Sequence, residues 1–543
     1  MISISFSNVS LTLGARSIFK NVYWEIGSDQ RVGLIGPNGA GKSSLLKLII
    51  DEFTPEIGGA VIKAKGVTVG YLPQDPELDP AATALAAVLG GNPRLAEIES
   101  ELRRIESRLA DPAVYGNEKT LGRALEDQQK LLREFDALDG GTYDARARET
   151  LRGLGLSDLD FDKPVGALSG GQKKLAGLAR LLMARPTALL LDEADNHLDL
   201  AGKAFLEKLI VGYPGAVVII SHDRYLLDAV VTHIAELEDG RLTAFSGDYS
   251  EFIFDKETRL ARQDELYRVQ QREIARLETA IKRYALWGKV YDNEKFAKKA
   301  KTMQGRLDKM EKIDRPVLER RRMDLELNGW RGSTKVLELI GLKKSFGRAT
   351  PLKEVNLLIR HGERVGLIGA NGAGKSVLLR LVIGQEAPTS GEVKIGPSVK
   401  TGYYAQEHET LDFNQTLIDA VRRARAFPES GAVAFLKRYL FTYEQASQKI
   451  GELSGGERSR LQLALLVLSG VNFLLLDEPT NNLDIASAEV LEGALEEFEG
   501  TALVISHDRY FLDRTVNRIV ELENGRLTEY AGGYSDYAEM AYR

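Results

Sequence analysis

Gly36-Pro37-Asn38-Gly39-Ala40-Gly41-Lys42-Ser43 follows the short apolar run Arg31–Ile35 and opens the amphipathic stretch Ser43–Ile50. The pattern returns as Gly369-Ala370-Asn371-Gly372-Ala373-Gly374-Lys375-Ser376, after Arg364–Ile368 and before Ser376–Ile383. Strand, glycine-rich loop and helix form the context in which Gly-x-x-x-x-Gly-Lys-Ser cradles phosphates. The glycines let backbone N–H groups point into the loop, at the positive end of the following helix. Lys42 and Lys375 are expected at the terminal phosphates, and Ser43 and Ser376 at a Mg2+ ion. Ser44 and Val377, next on each helix, are counted with the loops as nucleotide-binding positions. One copy alone could be a glycine-rich turn beside a surface lysine; two copies in the same context read as two nucleotide sites.

The repetition extends along the chain. Leu168-Ser169-Gly170-Gly171-Gln172 recurs as Leu453-Ser454-Gly455-Gly456-Glu457, and Leu190-Leu191-Asp192-Glu193 as Leu475-Leu476-Asp477-Glu478. Ile220-Ser221-His222-Asp223-Arg224-Tyr225 recurs as Ile505-Ser506-His507-Asp508-Arg509-Tyr510. Lys42 and Lys375 lie about 333 residues apart, and Gln74 and Gln406 about 332. From Ser169 and Ser454 onward the shift is about 285, through Glu193, His222 and Tyr249. A duplicated domain therefore carries, in its first copy only, an insertion of about 47 residues. The region of about 92–140 fits that insertion, as charged helices over Leu95–Leu109 and Lys119–Leu138 broken at Asp111-Pro112 and Tyr115-Gly116.

The domains expected from this comparison are 1–253, a linker at 254–333, and 334–543. The linker is highly charged and nearly free of glycine and proline up to Gly288, as a long helix requires. A second helix is expected from about Asn293 to Arg322, with Pro316 kinking or breaking it. The two would form an antiparallel hairpin turning near Trp287–Asn293. Over Lys282–Arg322 about 14 Lys and Arg oppose about 6 acids, inside a chain of net charge -6. Lys295, Lys298, Lys299, Lys301 and Arg306 lie in this stretch, with Tyr284, Trp287 and Tyr291 at the turn. The residues alone allow an RNA surface or a solvated hairpin whose rings lock its own turn.

Composition excludes several classes. The 543 residues hold no cysteine, which removes disulfide frameworks, thiolate zinc sites and iron–sulfur clusters. No apolar run reaches membrane-spanning length, and Met1–Phe6 lacks the basic start and apolar core of a signal peptide. A cytoplasmic protein is expected.

Asp192 and Asp477 each end an apolar run that reads as a buried parallel strand, which puts the carboxylate at the ligand crevice of an α/β sheet. They are expected to hold Mg2+ through water, with Glu193 and Glu478 orienting or deprotonating the attacking water. The expected reaction is ATP hydrolysis to ADP and phosphate.

These motifs, in this order, resemble those of ATP-binding-cassette ATPases over both repeats. The resemblance implies an α/β fold of two P-loop cassette domains joined by a long α-helical hairpin linker. It implies that each ATP lies between one domain's P-loop and the other's signature: Lys42 opposite Ser454, Gly455, Gly456 and Glu457, and Lys375 opposite Ser169, Gly170, Gly171 and Gln172. It implies phosphate contacts from His222 and His507, Mg2+ contacts from Gln74 and Gln406, adenine stacking on Phe346, and communication between the sites through Asp199 and Asp484. Asp477-Glu478-Pro479-Thr480-Asn481-Asn482-Leu483-Asp484, the twin Ser-His-Asp-Arg-Tyr-x-Leu-Asp runs and the charged linker further resemble the soluble subfamily F (ABC-F), whose members are ribosome-associated translation factors. That implies a ribosome-binding monomer with paired cassettes, its linker near the exit-site and peptidyl tRNA and the peptidyl-transferase centre. Related readings are a DNA repair or recombination ATPase, a transporter's ATPase subunit, and a ribosome-protecting antibiotic-resistance factor.

Two departures stand out. The first Asp-Glu continues as Ala194-Asp195-Asn196-His197-Leu198-Asp199, and the extra acid, Asp195, is expected to alter Mg2+ or phosphate affinity nearby. Leu13 aligns with Phe346, so weaker base stacking is expected at the first site.

Overall fold

A computed structural model describes all residues except 15, 75, 112–113, 115–116, 197, 291–293, 311–322, 324, 328–329, 348, 406–408, 482 and 542–543. Two compact units result: Met1–Asp248 with Met323–Arg543, and Tyr249–Arg322.

The first unit contains both repeats. In the first repeat, the parallel strands Val69–Leu72, Ala188–Asp192, Ala216–Ile220, Arg31–Ile35 and His233–Glu238 lie side by side in that order. Arg241–Ser246 closes one edge antiparallel. The second repeat gives the same order: Thr401–Tyr404, Phe473–Asp477, Thr501–Ile505, Arg364–Ile368, Arg518–Glu523 and the antiparallel edge Arg526–Ala531. Ala188–Asp192, Ala216–Ile220 and their counterparts are buried at every position, which explains why they are apolar apart from Asp192, Asp477 and Thr501 at strand ends. Each buried Leu, Val or Ile there contributes about 1.5–3 kcal/mol relative to exposure. A three-stranded antiparallel sheet accompanies each: Arg16–Gly27, Ile2–Leu13 and Ala60–Lys63 in one, and Ala349–Arg360, Lys335–Phe346 and Ser390–Ile395 in the other. Parallel connection brings the C-terminal ends of the core strands to one edge, where the motif loops emerge.

The insertion is a helical hairpin, Pro93–Leu109 against Glu118–Ala137. Ile98, Ile105 and Leu131 form its core, and Arg94 grips Glu134 through Nε and Nη2 at 2.7 and 2.9 Å.

In the second unit, one helix runs unbroken from Tyr249 to Val290, roughly 60 Å, continuing past Gly288. Its partner is described over Glu294–Asp308, and the stretch of 311–322 expected to follow it lies outside the described residues. The helix gives way to a turn, with Met310 N–H donating to the Leu307 carbonyl at 3.2 Å. No glycine or proline marks that stop, so the residue pattern could not place it; Pro316 and Tyr291 lie outside the described residues. Tyr284, Trp287 and Phe296 pack against one another with ring centroids 5.7–6.1 Å apart, between Arg283 and Lys299. These rings lock the hairpin turn, whereas Lys295, Lys298, Lys299, Lys301 and Arg306 are exposed. Among the described residues, no helix is long and apolar enough to cross a membrane.

Candidate active sites

Both glycine-rich loops adopt the same backbone. Gly36 and Gly41 have φ of 144° and 102°, and Gly369 and Gly374 have 146° and 108°, values that L side chains rarely adopt. A Cβ at Gly36 would stand 2.2 Å from the Leu237 carbonyl oxygen, and one at Gly369 2.4 Å from that of Leu522. Lys42 Nζ donates back to the Gly36 and Pro37 carbonyls at 2.7 and 3.1 Å. Lys375 does the same to Gly369 and Ala370, at the same distances. Burial lowers both amines' pKa, opposed at Lys42 by Glu193, Asp484 and Asp192, and at Lys375 by Glu478, Asp199 and Asp477.

The acidic pair follows from the strand ends. Asp192 and Asp477 close their buried strands, each hydrogen-bonded to the P-loop serine, Ser43 or Ser376. Burial pushes both carboxyls above their ordinary range despite those bonds. Glu193 and Glu478 then turn into the left-handed region, φ 52° and 50°, with their N–H groups held by the Ile220 and Ile505 carbonyls at 2.9 Å. A non-glycine residue in this region signals a geometry imposed by its surroundings, as at many active sites. Glu193 accepts from Asn196 Nδ2 at 2.8 Å and Gln74 Nε2 at 3.3 Å. Glu478 accepts from the His507 N–H at 3.3 Å, and burial pushes its carboxyl up to about 7. Gln406 lies outside the described residues.

His222 Nε2 stands 3.7 Å from Glu193, and His507 Nε2 3.4 Å from Glu478, neither with hydrogen-bond geometry. Burial lowers the His222 pKa to about 3, helped by Lys42 and opposed by Asp484. Burial, with Lys375 and Lys203, takes His507 well below its ordinary value. The imidazoles are thus neutral. Among the described residues, buried His222 Nε2, both ring nitrogens of His507 and Asp477 Oδ1 have no hydrogen-bond partner. Such orphaned groups are costly unless a ligand meets them. Together with inward-facing loop amides and lysines bent onto backbone carbonyls, they suit a polyphosphate. Among the described residues, no three His, Asp or Glu side chains gather as a metal site. A divalent ion at Ser43 and Asp192, or Ser376 and Asp477, would need to share its shell with phosphate oxygens, which is the usual habit of Mg2+.

The two sites interlock. Asp484 caps its own helix, accepting from Ser487 N–H at 2.9 Å, and also accepts from Asn38 N–H of the first P-loop at 3.1 Å. Asp199 caps through Gly202 N–H at 2.9 Å and accepts from Asn371 N–H of the second P-loop at 3.0 Å. The signature serines are exposed helix caps: Ser169 Oγ accepts from Gln172 N–H at 3.2 Å, and Ser454 Oγ donates to Glu457 at 2.7 Å. Gly170, Gly171, Gly455 and Gly456 form the first turns of those helices. Gly39, Ala40, Gly372 and Ala373 complete the loops, and Ser44 and Val377 lie in the first helical turns.

Phe346 and Leu13 both sit at the tips of their β-hairpins and are exposed; Lys344 Nζ lies 4.8 Å from the Phe346 ring centre. Base–aromatic stacking contributes about 1–3 kcal/mol, so the second site should bind adenine nucleotides about fivefold or more tighter than the first. Titrating a fluorescent ATP analogue into Lys42→Ala and Lys375→Ala separately checks this; equal affinities would refute it.

Motif reading passed over three kinds of contact. Tyr71 donates to Asp192 at 3.3 Å, and Tyr403 pairs with Asp477 in the same way; their repeat spacing, like that of Gln74 and Gln406, was the available signal. Buried Lys174 favours the charged forms of Asp192 and Glu193. Asp195 accepts from Ser221 at 2.9 Å and lies beside Lys203, and its charge raises Glu193.

Comparison with known proteins agrees with this architecture. A family model described as ABC transporter matches residues 19–196 and 352–481, and a second with that description matches 235–327. The energy-dependent translational throttle protein EttA of Haemophilus influenzae is 36% identical, over 96% of this chain and 92% of its own length. ABC transporter F family member 5 of Arabidopsis thaliana is 34% identical over 99% of this chain and 77% of its own. An archaeal ribosome recycling factor, aABCE1, solved with the ribosomal stalk protein aP1, shares the fold: TM-score 0.59, 19% identity, 98% of this chain and 92% of that one. Two ATP-binding cassettes with interlocked P-loops, and full-length likeness to F-subfamily proteins, place the chain in subfamily F of the ATP-binding-cassette ATPases.

Proposed function

We propose that the chain is a cytoplasmic translation factor that binds the ribosome in its ATP-bound state and leaves after hydrolysis. The observation carrying this reading is the exposed basic row of the hairpin, Lys295, Lys298, Lys299, Lys301 and Arg306, on a chain similar along its length to a translational throttle protein. An acidic protein that gathers lysines on one helical hairpin suits phosphate-rich RNA. Because the aromatic rings pack on each other, backbone phosphates are the expected contacts, with rRNA and with tRNA at the exit and peptidyl sites near the peptidyl-transferase centre. The proposed organisation is cassettes 1–253 and 334–543, a linker at 254–333 and an arm at about 92–140, acting as a monomer.

At each composite site the P-loop amides and Lys42 or Lys375 would hold the β- and γ-phosphates. Bound Mg2+, held by Ser43, Gln74 and Asp192 or by Ser376, Gln406 and Asp477, would neutralise developing charge on the phosphates. Glu193 and Glu478 would orient the attacking water and take its proton, and neutral His222 and His507 would donate to the γ-phosphate. The opposite signature, Ser454 to Glu457 or Ser169 to Gln172, would close over that phosphate with its free helix-start amides.

The test is to purify Glu193→Gln/Glu478→Gln protein from cells in ATP, with and without Lys298→Glu, Lys299→Glu and Lys301→Glu. Ribosomes carrying tRNA should accompany the glutamine variant, and the charge reversals should release them, most at elevated salt. DNA alone, a membrane subunit, or ribosome binding indifferent to the reversals would overturn the reading.

A further inference from the structure

One cation crosses between the cassettes without a counterpart. Lys203 lies on helix Leu200–Val211 of the first cassette, and the repeat shift of about 285 places Ala488 at its equivalent. Asp195 likewise faces Thr480 in the repeat. The second cassette therefore lacks both members of this acid–lysine pair.

Lys203 is buried, 6% exposed. Its Nζ donates to Asp223 Oδ2 at 2.6 Å and, across the interface, to the carbonyl oxygen of His507 at 2.8 Å. The His507 N–H in turn donates to Glu478 Oε2 at 3.3 Å. The histidine of the second site is thus held at both ends of its backbone, by Glu478 from its own cassette and by Lys203 from the other. The first site has no matching clamp: Ala488 carries no donor, and Glu193 is held by Asn196 and Gln74 instead.

A lysine buried so deeply is tolerated only when paired, and the surroundings pair it. Asp223 and Asp508, the aspartates that follow the two histidines, both cap their helices and carry like charge near each other. Lys203 lies beside them, as Arg509 does beside Asp223 and Arg224 beside Asp508, with Asp195 as a further acid; together these carboxylates overcome the burial that would lower the lysine's pKa. Its positive charge also favours the ionised form of Glu478 and the neutral form of His507.

We propose that Lys203 is a positioning residue for the opposite active site, fixing the His507 turn, and with it Glu478, only while the cassettes are paired. Hydrolysis at the second site would then require the first cassette to be in place, whereas the first site would not depend on the second cassette in this way. The inference rests on the reading that His507 and Glu478 serve hydrolysis at that site.

The experiment measures ATPase kinetics in Glu193→Gln protein, which reports the second site, and in Glu478→Gln protein, which reports the first. Lys203→Ala should lower kcat at the second site about tenfold with KM within about twofold, since a misplaced group costs turnover more than binding. At the first site the change should stay within about twofold, because Asp223 keeps its cap to the Leu226 N–H and the charge of Arg509 beside it. Lys203→Arg should restore most of the second-site rate. Asp195→Thr/Lys203→Ala, which copies Thr480 and Ala488, should show the same second-site kinetics with one buried acid fewer around the missing amine, separating positioning from failure to fold. Equal losses at both sites, a change in KM in place of kcat, no loss in the double variant, or no rescue by arginine overturns the proposal. Second-site turnover that survives the further change Glu478→Gln in the Glu193→Gln parent would instead count against the hydrolysis assigned to Glu478.

Discussion

Replacing Glu478 by glutamine should slow hydrolysis at the second site by about 10²–10³-fold while ATP remains bound, and adding Glu193→Gln should remove most remaining turnover. The substitution keeps the shape of the side chain and its ability to accept from the His507 N–H. It removes only the capacity to take a proton from water. Glu478 is suited to that step by place and by surroundings: 7% exposed, set at φ 50° on the end of a buried strand, with Lys375 and His507 beside it. Glutamine can adopt the same backbone, so melting temperature should change little. Phosphate release under saturating ATP, alongside retention of labelled ATP after rapid dilution, measures both halves of the prediction. Loss of ATP binding in parallel with turnover would mean that the glutamate holds the nucleotide and is not the base.

The second large effect belongs to Gly36 and Gly369. Gly36→Ala places a methyl group 2.2 Å from the Leu237 carbonyl oxygen at a φ of 144°. Neither atom can yield without moving the strand that carries it, since Leu237 is buried and belongs to the strand His233–Glu238 beside Arg31–Ile35. The expected cost is about 3 kcal/mol or more, enough to lower the unfolding temperature of that cassette by on the order of 10 °C. Gly39→Ala is the matched comparison. Gly39 also has positive φ, 77°, but no atom lies within 4 Å of its Cβ position, so only the backbone cost of about 1 kcal/mol remains. Calorimetry on the two variants separates close approach from conformational preference. Similar melting temperatures would show that the Leu237 contact yields freely.

Much of this protein was legible in order along the chain. Sheet order, strand ends and P-loop geometry repeat because the same local patterns repeat, and the change in repeat shift, with breakers between charged stretches, located the insertion helices. The linker helix was legible for the same reason, as a long charged stretch without breakers. Its partner's end at Asp308 was not, because no local residue marks the stop. The aromatic residues at the turn were ambiguous in sequence. Their packing across the hairpin onto Phe296 depends on which helix faces meet, which a single helix's pattern does not contain.

The sequence by itself determined two P-loops, two strand-end acid pairs and two helix-capping signatures, since each is a short-range pattern in which spacing dictates geometry. Only the tertiary structure decided how the sites are joined. Asp484 reaches Asn38 and Asp199 reaches Asn371 because two folded cassettes bring residues hundreds of positions apart into hydrogen-bond range. The left-handed backbone at Glu193 and Glu478 is likewise imposed by the neighbouring strands that hold their N–H groups. Lys203 is the sharpest case. In sequence it is one lysine among many on a helix, and its meaning arises only where burial removes water and leaves Asp223 and the His507 carbonyl as its partners.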